Sequence, residues 1–203
     1  MADDTRDDEH KRRMQEAQAE HRAKIRDRKA ADTGLLLVHT GDGKGKSTAA
    51  FGTIVRALGW GHSVGVVQFV KGDWRVGERE FFARFDGLVT WHTMGEGFTW
   101  DTQDRQQDIR AAAAAWSRSR EMLTSGDFDL VVLDELNIVL RYEYLTAQSV
   151  VAGLAERDPR TSVIVTGRDA PQALLDAADL ISDVRVVRHP FDNGIKAKRG
   201  IDF

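Results

Sequence analysis

From residue 34 onward, the hydrophobic positions fall into short apolar runs separated by longer amphipathic stretches. Leu35 to Val38 is continuously apolar between Gly34 and Gly41, the pattern of a strand buried on both faces. Ser47 to Leu58 reads as a helix, ended by Gly59-Trp60-Gly61. A second strand, Val64 to Val70, stops at Lys71-Gly72, and Val89 to Met94 alternates as a third. Gly95 to Asp101 is a glycine-bearing loop with two aromatics, Phe98 and Trp100. Thr102 to Leu123 follows as a long helix, with Ile109, Ala113, Trp116, Arg120 and Leu123 near one stripe. Asp129 to Asp134 is an apolar strand ending in the acids Asp134 and Glu135, and helical segments run on to about Glu156. Ser162 to Thr166 is a strand, Gly167-Arg168 a turn, Ala170 to Ala178 a helix and Val184 to Val187 the last strand. The tail from His189 to Phe203 has few apolar residues and is expected to wrap the surface. Strands alternating with helices predict an α/β protein with an open, mostly parallel sheet and helices on both faces.

Residues 1–33 break this pattern. They carry nine acidic and nine basic residues, with almost no large aliphatics beyond Met14 and Ile25. Such a segment buries too little surface to offset its ordering entropy, so alone it is expected to be mobile. Yet Glu9 to Lys29 contains no Gly or Pro and is rich in strong helix formers. Two readings follow: a solvated tail, or a helix that docks when the site is filled. The division expected is therefore a charged extension over 1–33 and an α/β domain over 34–203.

Between the first strand and the first helix lies Thr40-Gly-Asp-Gly-Lys-Gly-Lys-Ser-Thr48. Strand, glycine loop and helix together make a phosphate cradle, in which backbone N–H groups converge on an anion at a helix N-terminus. Gly41, Asp42, Gly43, Lys44, Gly45, Lys46, Ser47 and Thr48 are the candidate nucleotide-binding residues. Lys46 brings a positive charge on what is expected to be a surface side chain, and the Ser47 hydroxyl can ligate magnesium. The usual pattern has glycine where Thr40 stands, and Asp42 puts a negative charge in a loop meant for phosphates unless it faces away or meets a cation. Asp134 and Glu135, ending a strand behind such a loop, occupy a Walker-B position and are candidate metal ligands with Ser47. Gly41–Thr48, Lys71, Asp134, Glu135 and Arg168 are all expected beyond the carboxyl ends of the strands.

Composition narrows the class further. The 203 residues suffice for one domain with a proper core, and no apolar run approaches a membrane span. A net charge of −3 exerts no general pull on nucleic acid, and the absence of cysteine excludes disulfides and thiolate metal sites. Cysteine usage fits a cytoplasmic protein. His62-Ser-Val-Gly65 has part of a cobalt-ligating Asp-x-His-x-x-Gly pattern, but Trp60 stands where the acid belongs, so His62 reads as a solvated loop histidine.

These residues reach a nucleoside-triphosphate site with magnesium, but not a reaction. The chain resembles the P-loop type of ATP:corrinoid adenosyltransferases. The likeness rests on residues 40–52, Val-Gly-Val-Val-Gln-Phe-Val-Lys-Gly (64–72), Gly-Phe-Thr-Trp-Asp-Thr (97–102), Val-Val-Leu-Asp-Glu-Leu (131–136), Val-Thr-Gly-Arg (165–168) and Phe-Asp-Asn-Gly-Ile-Lys-Ala-Lys-Arg-Gly-Ile-Asp-Phe (191–203). It covers essentially residues 34–203, and the atypical loop is itself the family's form.

The resemblance implies a P-loop NTPase (RecA-like) fold and the transfer of the 5′-deoxyadenosyl group of ATP to cobalt(I) of a reduced corrinoid, releasing triphosphate. Adenosylcobalamin biosynthesis or salvage is the implied setting. It implies a nucleotide reversed in the loop, with Lys46 and the loop amides stabilising the leaving triphosphate and Arg168 nearby. Ser47, Asp134 and Glu135 would hold magnesium, with manganese as an alternative. Phe98 and Trp100 would lie beside the cobalt, keep its lower axial ligand off and ease its reduction. A flavin-dependent reductant protein, a homodimer and a docking role for residues 1–33 over the corrin are implied in the same way. Asp42 stands where some members have Asn, and Ser47 where some have Thr. Two other classes remain open to the residues alone: a small P-loop kinase or ATPase, and a RecA-like nucleic-acid-binding module. Against the latter, basic residues are interleaved with acids and no aromatic–basic platform is visible.

Overall fold

In the computed structural model the described residues are 2–26, 33–70, 76–93 and 104–202, with side chains of the first helix described over 9–24. Lys71, residues 94–103 with Phe98 and Trp100, and Phe203 lie outside them. The chain forms two compact units, Met1–Asp32 and Thr33–Phe203. The first is a single helix, α1 (Ala2–Arg26), whose side chains from Glu9 to Lys24 are all exposed. Its i,i+4 pairs Arg12–Glu16 and Lys24–Glu20 are the local support that such a charged sequence can offer. Among the described residues, no helix is long and apolar enough to cross a membrane.

The second unit is built on six strands: β1 (Leu36–Thr40), β2 (Val64–Gln68), β3 (Val89–Thr93), β4 (Leu130–Asp134), β5 (Ser162–Thr166) and β6 (Leu180–Asp183). They lie in the order β3-β2-β4-β5-β1-β6, every pair parallel. Between and after them come α2 (Lys46–Gly59), α3 (Gly77–Phe82), α4 (Arg105–Thr124), α5 (Leu136–Arg141), α6 (Ala147–Ala155) and α7 (Gln172–Ala177). The period-2 alternation of the strands divides the core in two. Val64, Val66, Leu130, Val132 and Ile164 pack with Ala50, Phe51, Ile54 and Ala57 of α2 on one face. Val67, Val131, Leu133, Val163 and Val165 pack with Ala112, Trp116 and Leu123 of α4 and with α5, α6 and α7 on the other.

The expected order of elements is the observed one, with three differences. The last strand is Leu180–Asp183, not Val184–Val187. Asp179 accepts the Leu36 N–H at 2.7 Å and donates its own N–H to the Leu36 carbonyl, which sets the register one short loop after α7. Val184 then donates to the Thr40 carbonyl at 2.9 Å and leaves the sheet, while Val187, despite its β propensity, is 99% exposed. In α4, Trp116 and Leu123 are buried as expected, but Ala113 and Arg120 face outward and the inner face is completed by Ala112, Ala115, Ser119 and Met122. A run of alanines does not distinguish its faces; the close seating of Met122 on Gly65 of β2 and of Trp116 on Gly153 of α6 sets the rotation. Helix α3 had no counterpart in the sequence reading; Phe82 carries it into the α2 face beside Phe51 and Trp91.

Candidate nucleotide-binding site

The loop after β1 is shaped by close backbone contacts. A Cβ on Gly41 would stand 2.3 Å from Asp183 Oδ1 and 2.5 Å from the Val184 carbonyl oxygen, at a φ of +93°. Gly43 faces the Val184 and Arg185 carbonyls at 2.8 Å in the same sense. These two glycines therefore admit the chain leaving β6, rather than only clearing room for an anion. The Gly43 N–H is itself donated to the Val184 carbonyl at 2.6 Å. Thr40, where the common pattern has glycine, accepts the Ala170 N–H on its hydroxyl at 3.1 Å and ties the end of β1 to the loop after β5.

Lys46 is not a surface side chain: it is 7% exposed. Its ammonium donates to the Gly41 and Gly43 carbonyls, each at 2.7 Å, bridging the loop from inside. Burial holds its pKa below the ordinary lysine value, and the Glu135 carboxylate partly offsets this. Asp42 is largely solvent-exposed and has Arg168 as its cationic neighbour at 3.9 Å, the cation that a negative charge in such a loop needs.

Asp134 and Glu135 occupy different environments. Asp134 is fully buried in a polar chain that crosses the strand ends. Trp91 Nε1–H donates to Gln68 Oε1 at 3.2 Å, and Gln68 Nε2 donates to Asp134 Oδ2 at 3.0 Å. Thr166 Oγ1 donates to Asp134 Oδ1 at 2.8 Å and accepts the Glu135 N–H at 3.0 Å. Glu135 caps α5 with left-handed backbone angles, φ 63° and ψ 20°, and these turn it out of the strand into the cavity.

That cavity, of about 520 Å³, is lined by Gly43, Lys44, Gly45, Lys46, Ser47, Thr48, Glu135 and Arg168. The structure thus brings most of the expected site residues together. Asp134 stays enclosed beneath Thr166 and Gln68, and Lys71, Phe98 and Trp100 lie outside the described residues. Six further liners were not anticipated: Val70, Glu78, Ile138, Arg141, Ile201 and Asp202. Arg141 extends the cationic side and pairs with Asp169 at 2.9 Å. Ile201 and Asp202 bring the tail, expected only to wrap the surface, into the site. The one sequence signal for them was their place in the 191–203 stretch.

A glycine loop between the first strand and first helix, with an acid ending a nearby parallel strand, defines a P-loop nucleotide-binding α/β protein. The flagellar accessory protein FlaH of Methanocaldococcus jannaschii shares this fold: TM-score 0.52, 12% identity, with 75% of this chain and 71% of that one covered. The family model for ATP:corrinoid adenosyltransferase BtuR/CobO/CobP matches residues 32–203. The corrinoid adenosyltransferase of Pseudomonas aeruginosa is 48% identical over 201 residues, covering 98% of this chain and 97% of the relative. The corrinoid adenosyltransferase CobA of Salmonella typhimurium is 46% identical over 172 residues, covering 85% and 87%. The chain belongs to the ATP:corrinoid adenosyltransferase family, whose activity is the ATP-dependent adenosylation of corrinoids.

Proposed function

We propose that the cavity at the P-loop holds ATP by its triphosphate and presents C5′ to the cobalt(I) of a reduced corrinoid. The cobalt lone pair forms the Co–C bond as the bond from C5′ to the α-phosphate oxygen breaks, and triphosphate leaves with both electrons of that bond. The metal substrate is the nucleophile, so the chain is asked only to orient the two reactants and to stabilise the charge on the leaving group. Lys46, Arg168 and the loop amides other than that of Gly43 do the latter. The observation that carries this reading is the convergence of Lys46, Ser47, Glu135 and Arg168 on one cavity at the strands' carboxyl ends.

The donor set there fits magnesium, a hard cation that takes one or two carboxylates, a hydroxyl and phosphate oxygens. Ser47 and Glu135 line the cavity, and Asp134 is the next carboxylate in the chain. Magnesium held by Ser47 and Glu135 would neutralise charge on the triphosphate. Asp134, locked by Gln68 and Thr166, would act by fixing the end of β4 and ordering bound water. Phe98 and Trp100 are proposed to face the corrin and exclude an axial ligand, and α1 to cover it. The protein is proposed to work as a homodimer supplied with cobalt(I) by a flavin-dependent reductant protein.

Metal titration of turnover tests the assignment. Glu135→Ala is expected to shift the magnesium dependence most and Asp134→Ala to shift it as well. Wild-type titration curves in both variants would remove the metal role from this pair.

A further inference from the structure

Two stretches downstream of β6 grip the P-loop. Val184 takes the Gly43 N–H, as described above. The other is the tail, where Lys198 to Asp202 closes a turn: the Ile201 and Asp202 N–H groups donate to the Lys198 carbonyl at 3.0 and 2.8 Å. Gly200 sits in that turn at a φ of +81°. The Asp202 carboxylate receives the Lys198 N–H at 2.8 Å and forms an ion pair with the Lys44 ammonium in the middle of the P-loop. The Asp202 side chain is 14% exposed, whereas Lys44 is 54% exposed. Gly200 and Ile201 lie beside Phe51, Val55, Phe81 and Phe82 in a groove between α2 and α3, and Ile201 also lines the P-loop cavity. The tail thus runs along this groove with Ile201 still 79% exposed, and its tether to the loop is the one charge pair.

We propose that Asp202 is a positioning residue for ATP: by tethering Lys44 it holds the P-loop in the conformation that receives the triphosphate and keeps Ile201 as one wall of the site. The proposal rests on the reading of this cavity as the ATP site. A partly exposed ion pair adds little to global stability, so its effect falls on the loop it orders rather than on the fold. Lysine has high rotamer entropy, and an untethered Lys44 would leave the cradle less preorganised before nucleotide arrives. The lysine partner and the Lys198 N–H hold the Asp202 carboxyl below its ordinary range, so the tether persists throughout neutral pH.

The test compares steady-state constants and melting temperature of the full chain. Asp202→Asn keeps the size and an acceptor for the Lys198 N–H but loses the charge. Expected is a rise of about fivefold in KM for ATP, the scale such a pair can supply. The corrinoid KM, kcat and Tm should stay near wild type, and Asp202→Glu should recover part of the ATP affinity. Lys44→Met leaves the tail's turn untouched and covers the case in which Asn disturbs it. In that background, adding Asp202→Asn should change nothing further. An unchanged KM for ATP in Asp202→Asn, a loss confined to kcat and Tm, or the same added penalty in the Lys44→Met background would each overturn the proposal. Lys46→Ala separates the two levels. If it binds ATP as wild type does, the ATP-site reading fails and the tail's role with it. If it loses ATP while Asp202→Asn does not, only the tail's role fails.

Discussion

Lys46 shows how one side chain serves both loop and ligand. Its two bonds to the Gly41 and Gly43 carbonyls hold the cradle closed, and a triphosphate would compete for the same ammonium. Lys46→Ala is therefore expected to abolish turnover and also to cost about 1–2 kcal/mol of stability, seen as a Tm lower by a few degrees. The glycines separate by mechanism. Gly41→Ala meets Asp183 and Val184 as well as an unfavourable φ, and should destabilise by about 3 kcal/mol or more. Gly45, at φ +114° with nothing within 4 Å of its would-be Cβ, carries only the backbone penalty, and Gly45→Ala should cost about 1–2 kcal/mol. Denaturant melts of the two variants check the order, and equal losses would contradict the contacts described at Gly41. His92 gives a pH prediction. Arg118 Nε–H donates to its Nε2 at 3.1 Å, and burial, with Arg118 second, holds its pKa below the ordinary value of 6.5. In the window below 6.5 the unfolded chain binds the proton and the folded one does not. The stability this histidine supports is full above that value and falls as pH drops through it. His92→Gln should flatten that part of the stability–pH curve.

At the level of elements, apolar runs located β1, β2, β4 and β5 because central parallel strands are buried on both faces and read as continuous hydrophobic stretches, while the edge strand β3 showed itself by alternation. The edge strand β6 lacks that signature: Leu180 and Ile181 are 44% and 50% exposed, so burial does not mark the strand. The valines after it were the stronger β signal, but hydrogen bonds from Asp179 and Val184 to β1 decide the register. Amide hydrogen exchange checks this directly: the Val184 N–H should be protected, and Val187 should exchange at loop rates. The site was legible where chemistry is local in sequence, in Gly41–Thr48 and the pair Asp134–Glu135. It was illegible where the fold supplies it. Glu78, Arg141 and Asp202 come from separate elements with no pattern linking them, and the isolation of Asp134 depends on Gln68 and Thr166 from neighbouring strands.

At the level of the whole molecule, the family model begins at residue 32, while the Pseudomonas aeruginosa relative matches over 201 residues. With 98% of this chain covered by that match, the charged extension is shared with that relative although the family model starts only at its end, and α1 lies in a compact unit of its own. Deleting residues 1–33 should leave ATP affinity intact and weaken corrinoid retention; equal corrinoid affinity in the truncated protein would return the segment to a plain tail. The central claim is that the chain transfers adenosyl and uses triphosphate as the leaving group, although its loop is one that in other proteins handles a γ-phosphate. The most direct measurement is a product balance under anaerobic conditions, with ATP, magnesium and chemically reduced cobalamin. Adenosylcobalamin and inorganic triphosphate should appear in equal amounts, with no ADP formed. Release of ADP and phosphate without a cobalt–carbon product would contradict it.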